Sequence, residues 1–160
     1  MKIEYNNLYT HFIFTTLHRL PLISEKHRER IEKYITGIVN NNDSQLYAIY
    51  ANPEHIHFLL SRSPKLSEED LACIVAESSR RFINQNKLCN TQFAWQPRNC
   101  GVLFLYPSRM LIPHVRDKYI LNQPEHHRKV SFSEEYEEFI KFYQKTLKPS
   151  KRSTEFLVSK

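Results

Sequence analysis

Short runs of aromatic and β-branched residues, bounded by polar or proline-containing segments, predict three β-strands before residue 62. These runs are residues 8–16, 45–51 and 55–61. Asn52, Pro53 and Glu54 form a turn between the last two runs, so these strands are expected to pair as a hairpin. Residues 93–95 and 101–106 are further extended candidates.

Apolar residues at helical spacing predict two helices between the strands. Ser24 is positioned to cap the first, which ends near Asn40. Ser67 begins the second, and Asp70 three residues later makes a variant of the capping box. The expected buried face of this second helix is Leu71, Ile74, Val75, Ser78 and Phe82. Two further helices are predicted, over residues 108–123 and from 131 or 133 to about 143.

The order of these elements predicts the fold class. Strand, helix, strand, strand, helix and strand is the split βαβ, ferredoxin-like arrangement of an α+β protein. Its four-stranded antiparallel sheet carries two helices on one face, and the additional C-terminal helices follow. We expect one domain over residues 1–146 and a basic, flexible tail over residues 147–160.

Composition narrows the functional classes. Hydrophobic residues are 41% and charged residues 25% of 160, typical of a folded soluble domain. Lys plus Arg is 23 against 17 for Asp plus Glu, and the net charge of +6 favours a polyanionic partner. Only two glycines are present, which excludes a P-loop or dinucleotide-binding fingerprint.

The cysteines and apolar segments indicate the compartment. Cys73, Cys89 and Cys100 form no CxxC pair, which argues against a disulfide framework or a cysteine-rich zinc site and fits a reducing cytoplasm. The first residues do not have the pattern of a signal peptide, and no apolar stretch approaches the roughly 20 residues that span a bilayer. A cytoplasmic protein without a membrane partner is therefore expected.

The segment His55-Ile56-His57 is the first candidate for chemistry. Alternate side chains of a strand share a face and lie roughly 7 Å apart, so both imidazoles can converge on one ion while Ile56 points into the core. Two histidines can also flank a core isoleucine by chance, and the residues alone leave both interpretations open.

Tyr119 and Gln123 are the second candidate. Residues four apart on a helix are neighbours on one face, so a phenol and an amide oxygen could face one metal together. An amphipathic helix produces this spacing routinely. Pro124 disfavours helical geometry at the residue before it, so the helix is expected to end near Asn122 and aim Gln123 differently.

Taken together, these segments resemble the single-tyrosine HUH transposases of small bacterial and archaeal insertion sequences, the REP-associated tyrosine transposase-like superfamily. HUH denotes two histidines separated by a bulky apolar residue. The segments that carry the resemblance are YTHFIFTTLHRLPLI near the start, SSRRFIN, PEHIHFLLS, FAWQ and YILNQPEHHRKVSFSEEY. The resemblance as a whole runs from about Tyr5 to Tyr143.

The resemblance implies a reaction and a set of site residues. His55, His57 and Gln123 would hold one divalent cation, Mg²⁺ or Mn²⁺. Tyr119, on one of the C-terminal helices, would attack a phosphodiester and form a 5′-phosphotyrosine, so that single-stranded DNA is cut and rejoined. The implied partners are single-stranded or hairpin DNA and a second copy of the chain in a homodimer, without a small-molecule substrate, in the cytoplasm of a prokaryote.

Basic side chains are candidates for contact with DNA phosphates. Those singled out are Arg80, Arg81, Arg98, Arg128 and Lys129. Each could equally be a solvated surface charge. His126 and His127 are expected at surface or DNA-backbone positions, and the face of the sheet on which His11 lies depends on strand register.

Two other functions remain open from the sequence. One is a non-catalytic or degenerate relative that binds single-stranded nucleic acid on the same sheet. The other is a relaxase or replication-initiator-like nickase, since those enzymes also combine paired histidines with a tyrosine. The position of the histidine pair before the tyrosine segment favours the transposase.

Overall fold

Four antiparallel strands form one sheet in the order β2-β3-β1-β4. Their bounds are Tyr9–Thr15 for β1, Gln45–Ala51 for β2, His55–Ser61 for β3 and Phe104–Tyr106 for β4. The structure is a computed structural model that describes residues 9–97, 104–106 and 114–146. Helix α1 (Glu25–Asn41) follows β1 and α2 (Glu68–Gln85) follows β3. This is the predicted ferredoxin-like fold.

The two faces of β3 have different surroundings because side chains alternate along a strand. Ile56, Phe58 and Leu60 are fully buried in the main core, together with the apolar faces of α1 and α2. His55 and His57 have the opposite parity, so they lie on the face of the sheet away from these helices. Backbone pairing therefore fixes which face carries the histidines.

Helix α2 begins as predicted and presents a slightly different face to the core. The Ser67 hydroxyl accepts from the Asp70 backbone, and Asp70 accepts from the Ser67 backbone, which completes the capping box. Leu71 and Val75 of the expected face are fully buried, and Ile74 and Phe82 pack against the core as partly buried side chains. The expectation for Ser78 is wrong, because it is only partly buried.

The neighbouring residues Ser79 and Ile83 are the buried ones. Trp95 Nε1 donates to Ser79 Oγ at 3.0 Å, and this bond satisfies both polar groups inside the core. Phe82, partly buried against the core, also stacks on the Tyr34 ring, with centroids 3.7 Å apart. The rotation of α2 about its own axis is thus consistent with the hydrogen bond that Ser79 accepts from Trp95.

The segment around Tyr119 is not the continuous helix that the spacing predicts. A π-helical segment, here called the tyrosine helix, runs over His114–Ile120, and Leu121 N donates to Arg116 O, five residues back. A turn follows, and a new short helix α3 begins at Gln123 (Gln123–His126). Proline fits the first turn of a helix but not its interior, so Pro124 explains the restart.

The chain divides into two compact units, Met1–Gln123 and Pro124–Lys160. The second unit contains the end of α3 and helix α4 (Phe132–Thr146). The extent of the predicted domain over residues 1–146 stays a prediction, and the predicted tail, residues 147–160, lies outside the described residues. Within the part of the chain that is described, no helix is long and apolar enough to cross a membrane.

Candidate active site

His55 and His57 lie side by side on the sheet face that α1 and α2 leave uncovered. Both side chains are fully buried, and their ring centroids are 4.8 Å apart with the rings nearly perpendicular. Ile13 of β1 and Tyr50 of β2 pair with His57 across the sheet, which holds the pair in its central strands. The common face expected from the alternation is therefore present.

The hydrogen bonds of His55 define which ring nitrogen can bind a cation. Nδ1 lies 3.2 Å from Oε1 of Glu54, and an ionised carboxylate only accepts hydrogen bonds, so Nδ1 carries the proton. Nε2 is then left with its lone pair, and Asn52 Nδ2 donates to it at 2.9 Å. A carboxylate behind a ligating imidazole is the usual device that orients such a ring.

Gln123 and His55 accept hydrogen bonds from the same amide nitrogen, Nδ2 of Asn52. Asn52 Nδ2 also donates to Gln123 Oε1 at 3.2 Å. All three side chains are buried, with exposures of 6% for Asn52 and 0% for the other two. Two of the three proposed ligand atoms therefore converge on one point, which an amide nitrogen occupies. A cation is attracted to the same lone pairs.

His57 is paired with His11 of β1. Nδ1 of His57 and Nε2 of His11 are 3.0 Å apart, and complete burial lowers the pKa of His11 to about 3. His11 is thus a neutral imidazole with a single N–H at ordinary pH. Coordination through Nε2 of His57 requires that Nδ1 of His57 carries the proton and donates it to His11.

Tyr119 lies next to this pair of imidazoles. Its ring is edge-on to His57 at a centroid distance of 5.6 Å and edge-on to His11 at 5.8 Å. The following residue, Ile120, is fully buried against the sheet in a cluster with Tyr9 and Leu59. This anchor holds the half-buried Tyr119 on the histidine face although the helix ends one residue later.

Two of the predicted DNA contacts lie on α2, which packs on the other face of the sheet. Arg80 and Arg81 form ion pairs with Glu77 at 2.9 and 3.3 Å. They also border a surface groove of about 540 Å³. Its other polar lining residues are Asn84, Gln85, Lys87, Asn90, Thr91 and Gln92. The structure does not bring these two arginines to the histidines.

The remaining predicted DNA contacts are distributed elsewhere. Arg98 lies outside the described residues. Arg128 forms an ion pair with Glu125 at 2.8 Å, and Lys129 is exposed beside it, both in the second unit.

Among the described residues of the first unit, three that contact the proposed histidine ligands were not identified from the sequence. His11 needs the β1–β3 register before its face is known, and register between distant strands is not visible in a single sequence. Asn52 and Glu54 are residue types common in turns, so the sequence offered no reason to expect their hydrogen bonds with His55. A carboxylate directly before a candidate ligating histidine was the one available signal.

Two solved structures share the fold. One is a candidate transposase from Deinococcus radiodurans R1, with 18% identity, a TM-score of 0.55 and coverage of 77% of this chain and 96% of that chain. The other is a REP-associated tyrosine transposase bound to a REP hairpin, with 17% identity, a TM-score of 0.56 and coverage of 81% and 74%. The fold is thus one that transposases use. No curated protein sequence matches the chain.

The sequence itself identifies the family. The model of the family described as "Transposase IS200 like" matches residues 4–102, more than half of the chain. The chain therefore belongs to the IS200-like transposase family, whose members cleave DNA, and the predicted superfamily is confirmed. The match includes His55 and His57 and ends before Tyr119 and Gln123.

Proposed function

We propose that this transposase cuts and rejoins single-stranded DNA with Tyr119 as the nucleophile and one divalent cation held by His55, His57 and Gln123. The observation that carries the proposal is the meeting of these four side chains on one face of the sheet. A covalent protein–DNA adduct that maps to Tyr119 is the direct test.

The donor set fits a divalent cation. Two imidazole nitrogens and an amide oxygen are acceptable ligands for several divalent ions, and Mg²⁺ or Mn²⁺ is our proposal on family grounds. His55 Nε2 and Gln123 Oε1 already point at a common hydrogen-bond donor, so little rearrangement of either is required. Bound there, the cation would supply Lewis-acid polarisation of the scissile phosphate.

Tyr119 performs the covalent step of the proposed reaction. Its phenol loses a proton, the oxygen attacks phosphorus, and the bond from phosphorus to the 3′-oxygen breaks. The products are a 5′-phosphotyrosine and a strand with a free 3′-OH. The new ester keeps the energy of the broken phosphodiester, so a second 3′-OH can displace the tyrosine without ATP.

The proposed partners are single-stranded or hairpin DNA and a second copy of the chain. The related REP-associated transposase was solved with a REP hairpin, and a net charge of +6 suits a nucleic acid. A homodimer in the prokaryotic cytoplasm completes the proposal, and analytical ultracentrifugation tests the dimer.

Binding to DNA should depend steeply on salt. Each phosphate contact releases counterions, so about four contacts on a single strand predict roughly 50-fold weaker binding between about 50 and 200 mM salt. Fluorescence anisotropy with a hairpin strand and with its fully paired duplex measures both affinities. Binding that ignores salt, or that favours the duplex, would contradict the proposed substrate.

Replacing Asn52 should affect the metal-free protein most. The Asn52→Ala change leaves two buried acceptors, on His55 and Gln123, without their donor, and each such group costs about 1–3 kcal/mol. Urea unfolding in EDTA should therefore show a clear loss of stability. With saturating Mn²⁺ the loss should shrink, because the cation takes over both lone pairs.

The exposed Asn90→Ala variant is the control and should match the wild type in both conditions. An equal loss of stability for Asn52→Ala with and without Mn²⁺ would show that Asn52 and the cation do not share these ligands.

A further inference from the structure

The turn that follows β1 combines an uncommon backbone conformation with exposed side chains. It is here called the β1 turn and consists of residues 17–20. His18 and Arg19, which are adjacent in it, both have a φ of 56°. This left-handed geometry is unfavourable for a residue with a Cβ atom and is normally adopted by single residues. Both side chains are exposed, as is Leu20, so burial of these side chains does not explain the conformation.

A distant part of the chain holds the β1 turn in this conformation. The backbone N–H of His18 donates to Oε1 of Gln96 at 2.8 Å, although the two residues are 78 positions apart. The backbone N–H of Leu17 donates to the carbonyl of Ala94 at 2.9 Å. Gln96 binds the backbone of His18, so the imidazole has no part in this contact. Strained backbone persists where surrounding structure over-determines it, and such strain is concentrated at active sites and ligand clamps.

The β1 turn lies at the His55 end of the histidine pair. Thr15, the last residue of β1, pairs directly with His55 across the sheet. The backbone N–H of the buried Thr16 donates to the carbonyl of Glu54 at 2.9 Å. The Thr16 hydroxyl lies 2.6 Å from the carbonyl of Leu20 and 3.0 Å from that of Glu54. The turn is therefore tied to the segment that leads into the proposed metal ligand His55.

Arg19 supplies the positive charge of this turn. A guanidinium has five N–H donors in a planar fork, which matches the geometry of a phosphate. Arg19 is four positions after Thr15, so the Cα atoms of these two residues are at most about 14 Å apart, and closer because the chain turns. A DNA strand whose scissile phosphate reaches His55 would therefore pass Arg19 within a few nucleotides of the cleaved bond.

We infer that Arg19 binds a phosphate of the DNA strand beside the cleaved bond, and that Gln96 is a positioning residue that holds the β1 turn for this contact. The inference rests on the proposed function, since it concerns the same DNA strand. A turn that is held in advance does not have to be ordered when the DNA binds, which favours affinity. The inference gives roles to LHRLP and FAWQ, which have no part in the proposed covalent step.

Arg19→Ala tests the phosphate contact. Loss of the guanidinium should weaken binding of a hairpin strand about 10- to 100-fold, as expected for a lost hydrogen bond to a charged group. The slope of log affinity against log salt should fall in magnitude by about 0.7, the share of one phosphate on a single strand. Arg19→Lys keeps the charge and should keep the slope. Fluorescence anisotropy at several salt concentrations measures both quantities.

Arg30→Ala is the matched control. Arg30 is an exposed arginine of α1, which packs on the other face of the sheet, and its guanidinium donates to Asn86 at 2.6 Å. This variant loses the same charge as Arg19→Ala and should keep the wild-type affinity and salt slope. A general effect of net charge would lower both variants equally.

Gln96→Met tests the positioning role. Methionine has a similar length and lacks the carbonyl that accepts from His18, so exchange of the His18 amide hydrogen should be faster. DNA binding should be weaker than in the wild type. Because Gln96 acts through Arg19, adding Gln96→Met to Arg19→Ala should cause no further loss. Gln92→Met, the same change at an exposed position nearby, should affect neither measurement.

These outcomes separate the inference from the proposed function. If the wild type binds and cleaves DNA and Arg19→Ala matches it in affinity and slope, the inference is wrong and the proposed function stands. If the wild type binds DNA without cleaving it, the proposed reaction fails, and the affinity and slope of Arg19→Ala still decide the phosphate contact. Losses from Arg19→Ala and Gln96→Met that add fully would overturn the positioning role of Gln96. A wild type that binds no DNA strand would overturn both proposals.

Discussion

Tyr119→Phe should abolish DNA cleavage while leaving DNA affinity nearly unchanged. The substitution removes one oxygen and keeps the ring that packs edge-on to His57 and His11. Without the phenol oxygen, no phosphotyrosine can form, so cleavage should fall to background. A denaturing gel with an end-labelled hairpin strand and Mg²⁺ or Mn²⁺ measures the product. Mass spectrometry of the wild-type adduct should locate the nucleotide on Tyr119.

Tyr50→Phe is the matched control. Tyr50 pairs with His57 across the β2–β3 ladder and belongs to the same apolar cluster on this face of the sheet. The same loss of one oxygen there should leave cleavage intact. If Tyr119→Phe cleaves as well as the wild type, another tyrosine is the nucleophile, and Tyr106 is the first to test. If all three proteins bind DNA and none cleaves, the chain is a binding module.

Local patterns were sufficient for the hairpin of β2 and β3, whose second strand carries His55 and His57. The bounds of β2 and β3 match the predicted runs because each is a short β-rich segment beside a turn that contains Pro53. The common face of His55 and His57 also follows from the alternation of side chains, which is a property of any strand. No distant contact had to be known for either result.

Properties that depend on distant contacts were not predictable. The helix periodicity of α2 allowed either Ser78 or Ser79 in the core, and the indole of Trp95, sixteen residues away, decides for Ser79. The hydrogen bond between His11 and His57 depends in the same way on the β1–β3 register. Sequence periodicity contains information about neighbours within one element, not about the partner that an element meets.

The break before Gln123 is an intermediate case. Pro124 indicates an end of the helix near this position, and the tyrosine helix does end at Ile120. The direction of Gln123 after that break could not be inferred from the spacing of four residues. It is set by the buried Asn52 amide, to which Gln123 Oε1 is hydrogen-bonded. Tyr119 and Gln123 therefore meet the sheet from two short helical segments rather than from one helix face.

The His55→Ala/His57→Ala variant should lose Mn²⁺ binding and cleavage together. Removing two of three proposed ligands should weaken Mn²⁺ binding by more than about 100-fold, since losing only a group that orients a ligand costs roughly 10–100-fold. Electron paramagnetic resonance of free Mn²⁺ gives the affinity, and circular dichroism checks the fold. Because both side chains are fully buried, His55→Gln/His57→Gln, which retains more volume, serves if the alanine variant unfolds.

A second double variant, His18→Ala/His27→Ala, controls for the loss of two imidazoles. His18 is exposed and His27 is half-buried on α1, which packs on the other face of the sheet from His55 and His57. This variant should bind Mn²⁺ and cleave DNA like the wild type. Unchanged Mn²⁺ affinity in the His55/His57 variant would mean that the cation binds elsewhere. The converging lone pairs of His55 and Gln123 would then serve to hold the Asn52 amide in place.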